Sequence, residues 1–328
     1  MKLDKELKEI VVPILEDIKI FQQEFEEALR SEVRLINLIS KYLIRHKGKG
    51  IRPILTILSA RACGKPTLNS YKAAALVELI HIASLIHDDV VDDANKRRGF
   101  PSINRIWKNK ASIVMGDFIL SKVLTNLIQL RDFDVLDLIS STAVSLSSGE
   151  MLQIEKSYTK SISEDVYFTM IRNKTASLTA TCCELGVITS SREDNHRHAM
   201  KSFGENFGMA FQIKDDLFDI LGSEQTIGKN TNSDLSKNMI TLPIIYTLSS
   251  DISRSEKKQI RKILKNGSSK KDMKILTNII EEYDGFSYAE LIMNDYSQKA
   301  IDSLSIFPDS PYKQSLIDLT LYNAQRTY

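Results

Sequence analysis

Apolar residues recur at intervals of three and four along most of the chain, whereas runs that alternate apolar and polar residues are rare. The first period is typical of amphipathic helices and the second of strands, so we expect helices and no strands. The 13 glycines and 7 prolines fall mostly between the periodic stretches, which favours short connections. We therefore predict an all-α fold, a single domain of long helices over residues 1–328. The predicted helices span 3–30, 31–46, 52–63, 70–97, 111–130, 132–157, 164–188, 194–221, 239–249, 255–265, 270–282, 285–303 and 310–326.

Three helix ends carry recognisable residues. Ser70 is placed to cap a helix that begins at Tyr71, and the segment KRRG at 96–99 is typical of its C-terminal end. Gly222 is predicted to end the helix that contains Asp215.

The composition is that of an ordinary globular protein. The chain has 328 residues, of which 42% are hydrophobic and 26% charged, enough to bury a sizeable core. The formal net charge of +2 argues for neither nucleic acid nor an acidic partner, so basic residues are expected to act locally.

The cysteines and the first residues of the chain bear on its compartment. Cys63, Cys182 and Cys183 form an odd set without metal-type spacing, which favours a reducing cytoplasm over a disulfide framework. Residues 1–21 mix acidic with apolar residues, unlike a signal peptide. No uncharged apolar run is long enough to span a bilayer, and we expect a cytoplasmic protein.

An acidic cluster in HIASLIHDDVVDDANKRRG, residues 81–99, is the most informative segment. Asp88 and Asp92 are four residues apart, so a helix places them on one face, where like charges repel. Mg²⁺ would offset this repulsion, because it accepts one or two carboxylates together with phosphate oxygens. A solvated helix end is the alternative for this cluster taken alone. His87, next to Asp88, is either a partner of that carboxylate or a packing residue.

A second cluster with the same D-D-x-x-D spacing lies far downstream, in FQIKDDLFD at residues 211–219. Two such clusters on long helices predict a pair that clamps a polyanion through several metal ions. One helical face carries the polar residues Gln212, Asp215, Asp216 and Asp219. The opposite face carries apolar residues suited to packing, namely Ile213, Leu217 and Ile220.

Basic residues around the first cluster complete a predicted polyanion site. Lys49 and Arg52 lie one turn apart at a helix start in GKGIRP, where free N–H groups favour a diphosphate. Arg97 and Arg98 follow the first cluster and suit bidentate contacts with phosphate. For any one of these residues taken alone, a solvated surface charge is the simpler interpretation.

Three further residues belong to this pattern. Lys174 and Thr175 lie within a predicted helix, which Thr175 is expected to bend by bonding back to a carbonyl. Lys229 follows the second cluster in a predicted loop. His46, in contrast, is expected to be solvated.

The order of these segments closely resembles the trans-isoprenyl diphosphate synthases, the family of farnesyl, geranylgeranyl and longer polyprenyl diphosphate synthases. The resemblance runs from about Lys49 to Pro243 and rests on GKGIRP, HIASLIHDDVVDDANKRRG, GDFIL, KTASL and FQIKDDLFD. The long form of the first block is similar to the long-chain members, of the hexaprenyl to nonaprenyl and octaprenyl type. The resemblance implies an all-α bundle around a deep central cavity, usually a homodimer.

The same resemblance implies roles for the matching residues. The isopentenyl diphosphate site would consist of Lys49, Arg52, His81 and Arg98. The principal Mg²⁺ ligands would be Asp88, Asp92 and Asp215, and the acidic motifs would be completed by Asp89, Asp216 and Asp219. The allylic diphosphate would be bound by Arg97, Lys174, Thr175, Gln212 and Lys229. The six aspartates form the predicted catalytic set together with Lys174, Thr175 and Gln212.

One segment departs from the family pattern. The family usually continues D-L-x-E-G-K-x-T-L-P after the second motif, whereas residues 234–243 read DLSKNMITLP. Met239 stands where the family has a lysine that touches the allylic diphosphate, and Lys237 lies two residues earlier. The departure bears on the affinity for that diphosphate and removes no metal ligand.

The helix before Asp88 is predicted to line the tunnel for a growing chain, because one helical turn rises about 5.4 Å, close to one isoprene unit. Short-chain relatives commonly carry an aromatic residue one turn before the acidic motif, where this chain has Ala83 and Ser84. The small residues predict a product of about C30–C45, if the tail runs along this helix. The alternative is that Ala83 merely permits close helix packing. The predicted tunnel residues are Ala83, Ser84, Ile80, Leu79 and Leu76.

The predicted reaction is a Mg²⁺-dependent, head-to-tail condensation of isopentenyl diphosphate onto an allylic diphosphate, giving an all-trans polyprenyl diphosphate for a quinone side chain. Release of this product implies a transient membrane contact. One rival is a non-catalytic or regulatory subunit of a heteromeric synthase, which Met239 favours. The other is a terpene cyclase, whose second metal motif normally reads N-D-x-x-S-x-x-x-E, whereas this chain has DDLFD.

Overall fold

A computed structural model describes residues 4–46, 48–159, 162–226, 240–266 and 269–326. The all-α prediction is confirmed, and most predicted helices lie within a few residues of the observed ones. A 3₁₀ turn (Val12–Ile14) joins α1 to α2, and a π-helical turn (Arg172–Ala176) joins α8 to α9. The helices are α1 (Lys5–Ile10), α2 (Leu15–Ala28), α3 (Arg34–Arg45), α4 (Ile51–Cys63), α5 (Leu68–Val91), α6 (Ile103–Leu130), α7 (Phe133–Thr159), α8 (Glu164–Ile171), α9 (Ser177–Ile188), α10 (Asp194–Thr226), α11 (Leu242–Ser249), α12 (Arg254–Asn266), α13 (Lys270–Glu282), α14 (Gly285–Ser303) and α15 (Pro311–Gln325).

A short hairpin shows that the prediction of no strands was wrong. β1 (Lys96–Arg97) pairs antiparallel with β2 (Phe100–Pro101) where the sequence predicted the end of a helix spanning 70–97. The two turn residues are left-handed, with φ 52° at Arg98 and 82° at Gly99, as a two-residue hairpin turn of type I′ requires. Glycine adopts this backbone freely, whereas Arg98 is held in a conformation uncommon for its type.

The ends of two long helices also differ from prediction. Thr67, not Ser70, is the N-cap of α5, and the Ser70 hydroxyl accepts a hydrogen bond from the Thr67 amide in a capping box. At its other end α5 breaks before Asp93, whose backbone is left-handed with φ 51°. α10 continues four residues past Gly222, because a single glycine inside a helix costs only about 1 kcal/mol.

The chain folds into two compact units, each assembled from segments that are distant in sequence. Unit 1 comprises residues 1–143, 179–204 and 303–319, and unit 2 comprises 144–178, 205–302 and 320–328. The first acidic motif lies in unit 1 and the second in unit 2. A single domain over residues 1–328 stays a prediction.

α5 is the central helix of unit 1, where it packs against α2, α4 and α6. It is buried on nearly every side, as expected of a helix that is hydrophobic all round. The buried Asp17 on α2 accepts hydrogen bonds from Arg61 at 2.7 Å and from Tyr71 at 2.6 Å, which ties α2 to α4 and α5. This packing fixes the helix whose C-terminal end bears the first acidic motif.

In unit 2 the apolar face of α10 packs into two clusters of buried residues. Ile213 and Leu217 are buried beside Tyr167 of α8 and Met293 of α14. Ile220 belongs to a second cluster formed with α11, α12 and α13. The predicted packing role of this face is confirmed, and it leaves the polar face of α10 for the acidic motif.

α6 is apolar on both of its sides. Met115, Ile119 and Val123 are buried, while Leu124 and Ile128 on the other side are 61% and 72% exposed. Among the described helices, α6 is the one that is long and apolar enough to cross a membrane by length and composition. Of the residues in its most apolar 18-residue stretch, 33% are buried. Its backbone is non-helical near the start, at Lys108.

Candidate functional site

The first acidic motif occupies the last turn of α5 and its C-cap. Asp88 and Asp92 are half-buried and joined by the helical bond from the Asp92 amide to the Asp88 carbonyl, 2.8 Å long, as their spacing predicts. Asp89 is only 4% exposed, and its Oδ1 accepts hydrogen bonds from Arg97 Nε at 2.8 Å and Nη2 at 2.7 Å. Asn104 donates to the Asp89 carbonyl oxygen. The motif thus has one carboxylate directed into unit 1 and two that solvent reaches.

The four residues predicted to bind isopentenyl diphosphate all lie in unit 1. Lys49 precedes α4 and its Nζ lies 2.9 Å from Asp4 Oδ2, while Arg52 lies in the first turn of α4. The buried Nε2 of His81 has no hydrogen-bond partner. Burial lowers the pKa of His81, and the nearby cations Arg52 and Arg98 lower it further. An anion in this cationic environment would be stabilised without a metal ion.

Arg98 extends from the hairpin turn toward the loop that precedes α4. A Cβ atom added to Gly48 would lie 2.3 Å from Arg98 Nη1, so any side chain at residue 48 would displace the guanidinium. Because Lys49 follows directly, the hairpin and the GKGIRP segment meet at this point. Sequence spacing predicted a role for each segment and did not predict that they touch.

The second acidic motif lies on the polar face of α10. The buried Asp216 accepts hydrogen bonds from Tyr167 Oη at 2.7 Å and from Gln212 Nε2 at 2.8 Å. Burial raises the pKa of Asp216 to about 7, opposed by these two hydrogen bonds and assisted by the neighbouring carboxylates of Asp219 and Asp215. Three carboxylates within two helical turns repel one another, and a bound cation would offset this repulsion.

The KTASL segment joins this motif through a π-helical turn. Lys174 lies 2.6 Å from Glu150 Oε2 and donates to Gln153 Oε1 at 2.8 Å. The sequence predicts that Thr175 bends its helix, and the π turn lies at this residue. The hydroxyl of Thr175 donates to Gln212 Oε1 at 2.6 Å. A chain of hydrogen bonds therefore runs from Thr175 through Gln212 to Asp216.

Asp215 carries a partner that the sequence did not reveal. Arg326, one residue beyond α15, forms an ion pair with Asp215 and donates to the Phe211 carbonyl oxygen at 3.3 Å. Its guanidinium lies 4.3 Å from the centre of the Phe211 ring and 5.4 Å from that of Phe218. The carboxylate predicted as a metal ligand thus already attracts a cation.

The donor sets of the two motifs suit Mg²⁺. Within the described ranges, no three His, Cys, Asp or Glu side chains converge as a ready-made metal site. Mg²⁺ does not require one, because it is usually held by one or two carboxylates and completes its octahedron with water and phosphate oxygens. Each motif offers accessible carboxylate oxygens, Asp88 and Asp92 in unit 1 and Asp215 and Asp219 in unit 2.

The predicted tunnel residues lie inside α5. Leu76, Leu79, Ile80 and Ala83 are buried, from 0% to 5% exposed. Ser84 is half-buried, and its hydroxyl donates to the His81 carbonyl oxygen at 2.9 Å. The burial agrees with a lining role and equally with close helix packing.

Two further residues singled out from the sequence are His87 and Lys229. His87 packs against Gly116, and its Nε2 lies 3.3 Å from the Ile113 carbonyl oxygen and 3.5 Å from Asp117. It therefore links α5 to the GDFIL segment of α6. Lys229 lies outside the described residues, as do Lys237 and Met239.

Comparison with known proteins agrees with this arrangement of motifs. The all-trans-nonaprenyl-diphosphate synthase (geranyl-diphosphate specific) of Rhodobacter capsulatus is 32% identical over 314 residues, covering 95% of this chain and 96% of that protein. The heptaprenyl diphosphate synthase component 2 of Bacillus subtilis is 31% identical over 314 residues, covering 95% of this chain and 89% of that protein.

A solved structure extends the similarity to three dimensions. The polyprenyl synthase of Caulobacter crescentus CB15, crystallised with calcium and isoprenyl diphosphate, is 27% identical and covers 98% of both chains with a TM-score of 0.89. Residues 33–282, which include both acidic motifs, match the sequence profile of the polyprenyl synthetase family. This chain belongs to the polyprenyl synthetase family.

Proposed function

We propose that the protein condenses isopentenyl diphosphate onto an allylic diphosphate, head to tail, and makes an all-trans polyprenyl diphosphate of about C30–C45 for a quinone side chain. The observation that carries this proposal is the pair of complete D-D-x-x-D motifs on α5 and α10. Both occur in a chain that is 32% identical over 95% of its length to a nonaprenyl-diphosphate synthase. Product analysis by mass tests it, after incubation of the purified chain with isopentenyl diphosphate, allylic primers and Mg²⁺.

Mg²⁺ is the proposed cofactor, with Asp88, Asp92 and Asp215 as its principal ligands. When bound, it neutralises the negative charge that develops on the departing diphosphate. Asp89 supports the first motif by holding Arg97, and Asp216 supports the second through Tyr167 and Gln212. Asp219 completes the second motif.

The two substrates bind at two different sites, and only the site for the allylic diphosphate needs a metal ion. Isopentenyl diphosphate must keep its diphosphate, so a metal-free basic pocket of Lys49, Arg52, His81 and Arg98 suits it. The allylic diphosphate must leave, so it belongs beside the carboxylates, with Arg97, Lys174, Thr175, Gln212 and Lys229. Arg97 and Lys174 each pair with an acid in the described structure, so a phosphate would share or exchange these contacts.

The chain's own residues then have defined tasks in the condensation. Breaking the allylic carbon–oxygen bond leaves an allylic cation and diphosphate. The oxygen atoms of Thr175 and Gln212, held together because the Thr175 hydroxyl donates to Gln212 Oε1 at 2.6 Å, stabilise that cation with their lone pairs. The double bond of isopentenyl diphosphate attacks it, a new carbon–carbon bond forms, and the departed diphosphate accepts the proton that is lost.

Substitutions in the two basic sites are expected to change the KM of different substrates. Arg52→Ala is expected to raise chiefly the KM for isopentenyl diphosphate, and Lys229→Ala that for the allylic substrate. Each variant loses a charge-assisted contact of about 1.5–3 kcal/mol, or about 10-fold to 150-fold in KM. Steady-state kinetics with each substrate varied in turn measures the effect. The exposed Arg254→Ala is the matched control, and a reversed pattern would show that the two sites are exchanged.

The homodimer is part of the proposal and is supported by the exposed stripe on α6. Ile113, Leu120, Leu124 and Ile128 recur at intervals of seven and four residues on one side of the helix and are 38% to 72% exposed. Such a surface is typical of an interface between subunits.

A charge within this stripe is expected to dissociate the homodimer. Leu124→Glu combined with Ile128→Glu would bury two carboxylates in an apolar interface, so the species should shift from dimer to monomer. Light scattering after size-exclusion chromatography measures the mass. Leu291→Glu, at an apolar position 65% exposed on α14, is the control and should leave the mass unchanged. A monomeric parent protein would contradict the proposal.

The second candidate function is that of a non-catalytic or regulatory subunit of a heteromeric synthase, and one protein similar to this chain bears the name heptaprenyl diphosphate synthase component 2. Assay of the single purified chain decides between them, because a lone component would make no product. Incubation with a C15 primer, with and without isopentenyl diphosphate, tests the less favoured cyclase, which needs only the primer.

A cytoplasmic location with transient membrane contact during product release completes the proposal. Cys63, Cys182 and Cys183 are free thiols. Burial raises the pKa of Cys63 and of Cys182 to about 12, which disfavours their thiolate forms.

A further inference from the structure

An aromatic clasp connects the end of α3 to the hairpin and to the start of α6. We define the clasp as Tyr42, His46, Phe100 and Trp107. The Tyr42 and His46 rings are 4.2 Å apart between centres, and His46 and Phe100 are 4.3 Å apart. Trp107, the single tryptophan of the chain, meets Tyr42 edge-on at 5.3 Å. Four rings thus hold three elements of unit 1 together.

Hydrogen bonds fix the geometry of the clasp. Tyr42 Oη donates to the Pro101 carbonyl oxygen at 2.6 Å. His46 Nδ1 lies 2.9 Å from the Tyr42 carbonyl oxygen, which orients the imidazole ring against Phe100. Of these two bonds, the one from Tyr42 reaches the hairpin backbone, and it therefore fixes the position of β2 relative to α3.

The clasp acts on β2, whereas the predicted diphosphate residues lie on β1 and in the turn. Arg97 pairs with Phe100 in the ladder, and Lys96 with Pro101. β1 is anchored separately, because Arg97 is bound to Asp89 on α5. The hairpin is therefore held from α5 on one edge and from α3 on the other, and Arg98 lies at the turn between them.

A hairpin this small depends on such supports. Its ladder has two residues per strand, and an isolated two-stranded hairpin is marginally stable at best in water. Arg98 also adopts a left-handed backbone, which persists only where surrounding contacts over-determine it. The clasp supplies these contacts on the β2 side.

A cavity of about 70 Å³ brings the clasp and the predicted isopentenyl diphosphate site to one space. Its walls include Tyr42 and Phe100 of the clasp together with His81, Arg97 and Arg98. Residues of the clasp and of the predicted isopentenyl diphosphate site therefore line the same cavity.

We propose that Tyr42 and His46 are positioning residues for isopentenyl diphosphate, which hold the hairpin so that Arg98 reaches the loop at Gly48 and Lys49. This inference rests on the proposed function. Tyr42 touches no substrate and acts through Arg98 alone. Loss of its hydroxyl raises the KM for isopentenyl diphosphate and leaves kcat and the allylic KM nearly unchanged, because Arg97 keeps its own bond to Asp89.

The test compares Tyr42→Phe, Arg98→Ala and the double variant. Tyr42→Phe keeps the ring and removes one neutral hydrogen bond, so the KM for isopentenyl diphosphate rises about twofold to tenfold. In the Arg98→Ala background the same change has no further effect, because the group on which it acts is gone. Quenching of Trp107 fluorescence, titrated with isopentenyl diphosphate alone, gives the corresponding Kd. Tyr158→Phe, which removes a hydroxyl from a side chain 81% exposed, is the matched control.

The outcomes separate this inference from the proposed function. An unchanged KM and Kd in Tyr42→Phe, or an equal effect in both backgrounds, overturns the positioning role while the isopentenyl diphosphate site stands. If Arg98→Ala itself changes neither constant, the site assignment fails and the positioning role fails with it. His46→Gln provides a second variant, for which the same pattern through Arg98 is expected.

Discussion

Alanine in place of Asp88 or of Asp215 is expected to lower turnover by about a hundredfold to a thousandfold, the effect of losing one preorganised electrostatic group at a centre of developing charge. The fold should persist, because Asp88 is half-buried and the Asp215 side chain is 38% exposed, so neither belongs to an apolar core. Chelation of Mg²⁺ by EDTA should abolish the activity of the unsubstituted chain.

Turnover of each variant is measured over a range of Mg²⁺ concentrations with both substrates saturating, and circular dichroism and thermal unfolding report the fold. Asp137→Ala, at an exposed carboxylate on α7, controls for the loss of a negative charge and should leave turnover unchanged. Near-normal activity of either motif variant at limiting Mg²⁺ would refute the metal assignment.

The helical part of this site could be predicted because its information is periodic. The four-residue spacing of Asp88 and Asp92 predicted a shared helical face, and the structure has them in one helical turn. On α10, the apolar positions Ile213 and Leu217 predicted the buried face and so fixed the direction of the acidic one. A period of 3.6 residues determines both faces at once, without knowledge of distant partners.

The hairpin could not be predicted in the same way. A ladder of two residues per strand shows no period, and KRRG was consistent with a helix end rich in basic residues. The local signal was Gly99 alone, because glycine suits a left-handed turn position, whereas nothing in the sequence marks Arg98 as the other turn residue. His46 is half-buried against Phe100 and not solvated as predicted, and the sequence could not show this contact because Phe100 belongs to that hairpin.

Partners that are distant in sequence account for the remaining omissions. Arg326 is 111 residues from Asp215, and Tyr167 is 49 residues from Asp216. Nothing in the local spacing of an arginine or a tyrosine marks it as the partner of a particular carboxylate. Only the packing of α8 and of the C-terminal residues within unit 2 brings these side chains to the motif.

A bulky residue one turn before the first acidic motif is expected to shorten the product. If the diphosphate is held at Asp88 and Asp92, the growing tail runs back along α5, and each turn of about 5.4 Å accommodates about one isoprene unit. Ala83→Phe would place a ring at this level and reduce the main product from about C30–C45 to about C15–C20. Mass analysis of the extracted products, with turnover of the primer measured in parallel, gives the result.

The burial of Ala83 sharpens this test, because the side chain is 0% exposed in α5. A phenylalanine there either projects into a tunnel or overpacks the core, and overpacking costs about 1–3 kcal/mol of stability. Thermal unfolding distinguishes the two, since a tunnel has room for the ring and a packed helix contact does not. Ser84→Phe is the companion variant at the neighbouring position of α5. Ser84 is half-buried, and its hydroxyl donates within its own helix to the His81 carbonyl oxygen.

The pattern over the two variants decides which path the tail takes. A shorter product from either variant, with an unchanged unfolding temperature, supports a tunnel along α5. A destabilised Ala83→Phe with normal product length from Ser84→Phe would instead assign Ala83 to close packing against a neighbouring helix. Two folded, active variants that both keep the parent product length would show that the tail leaves the metal site by another route, and the expected range of about C30–C45 would then lose its basis in α5.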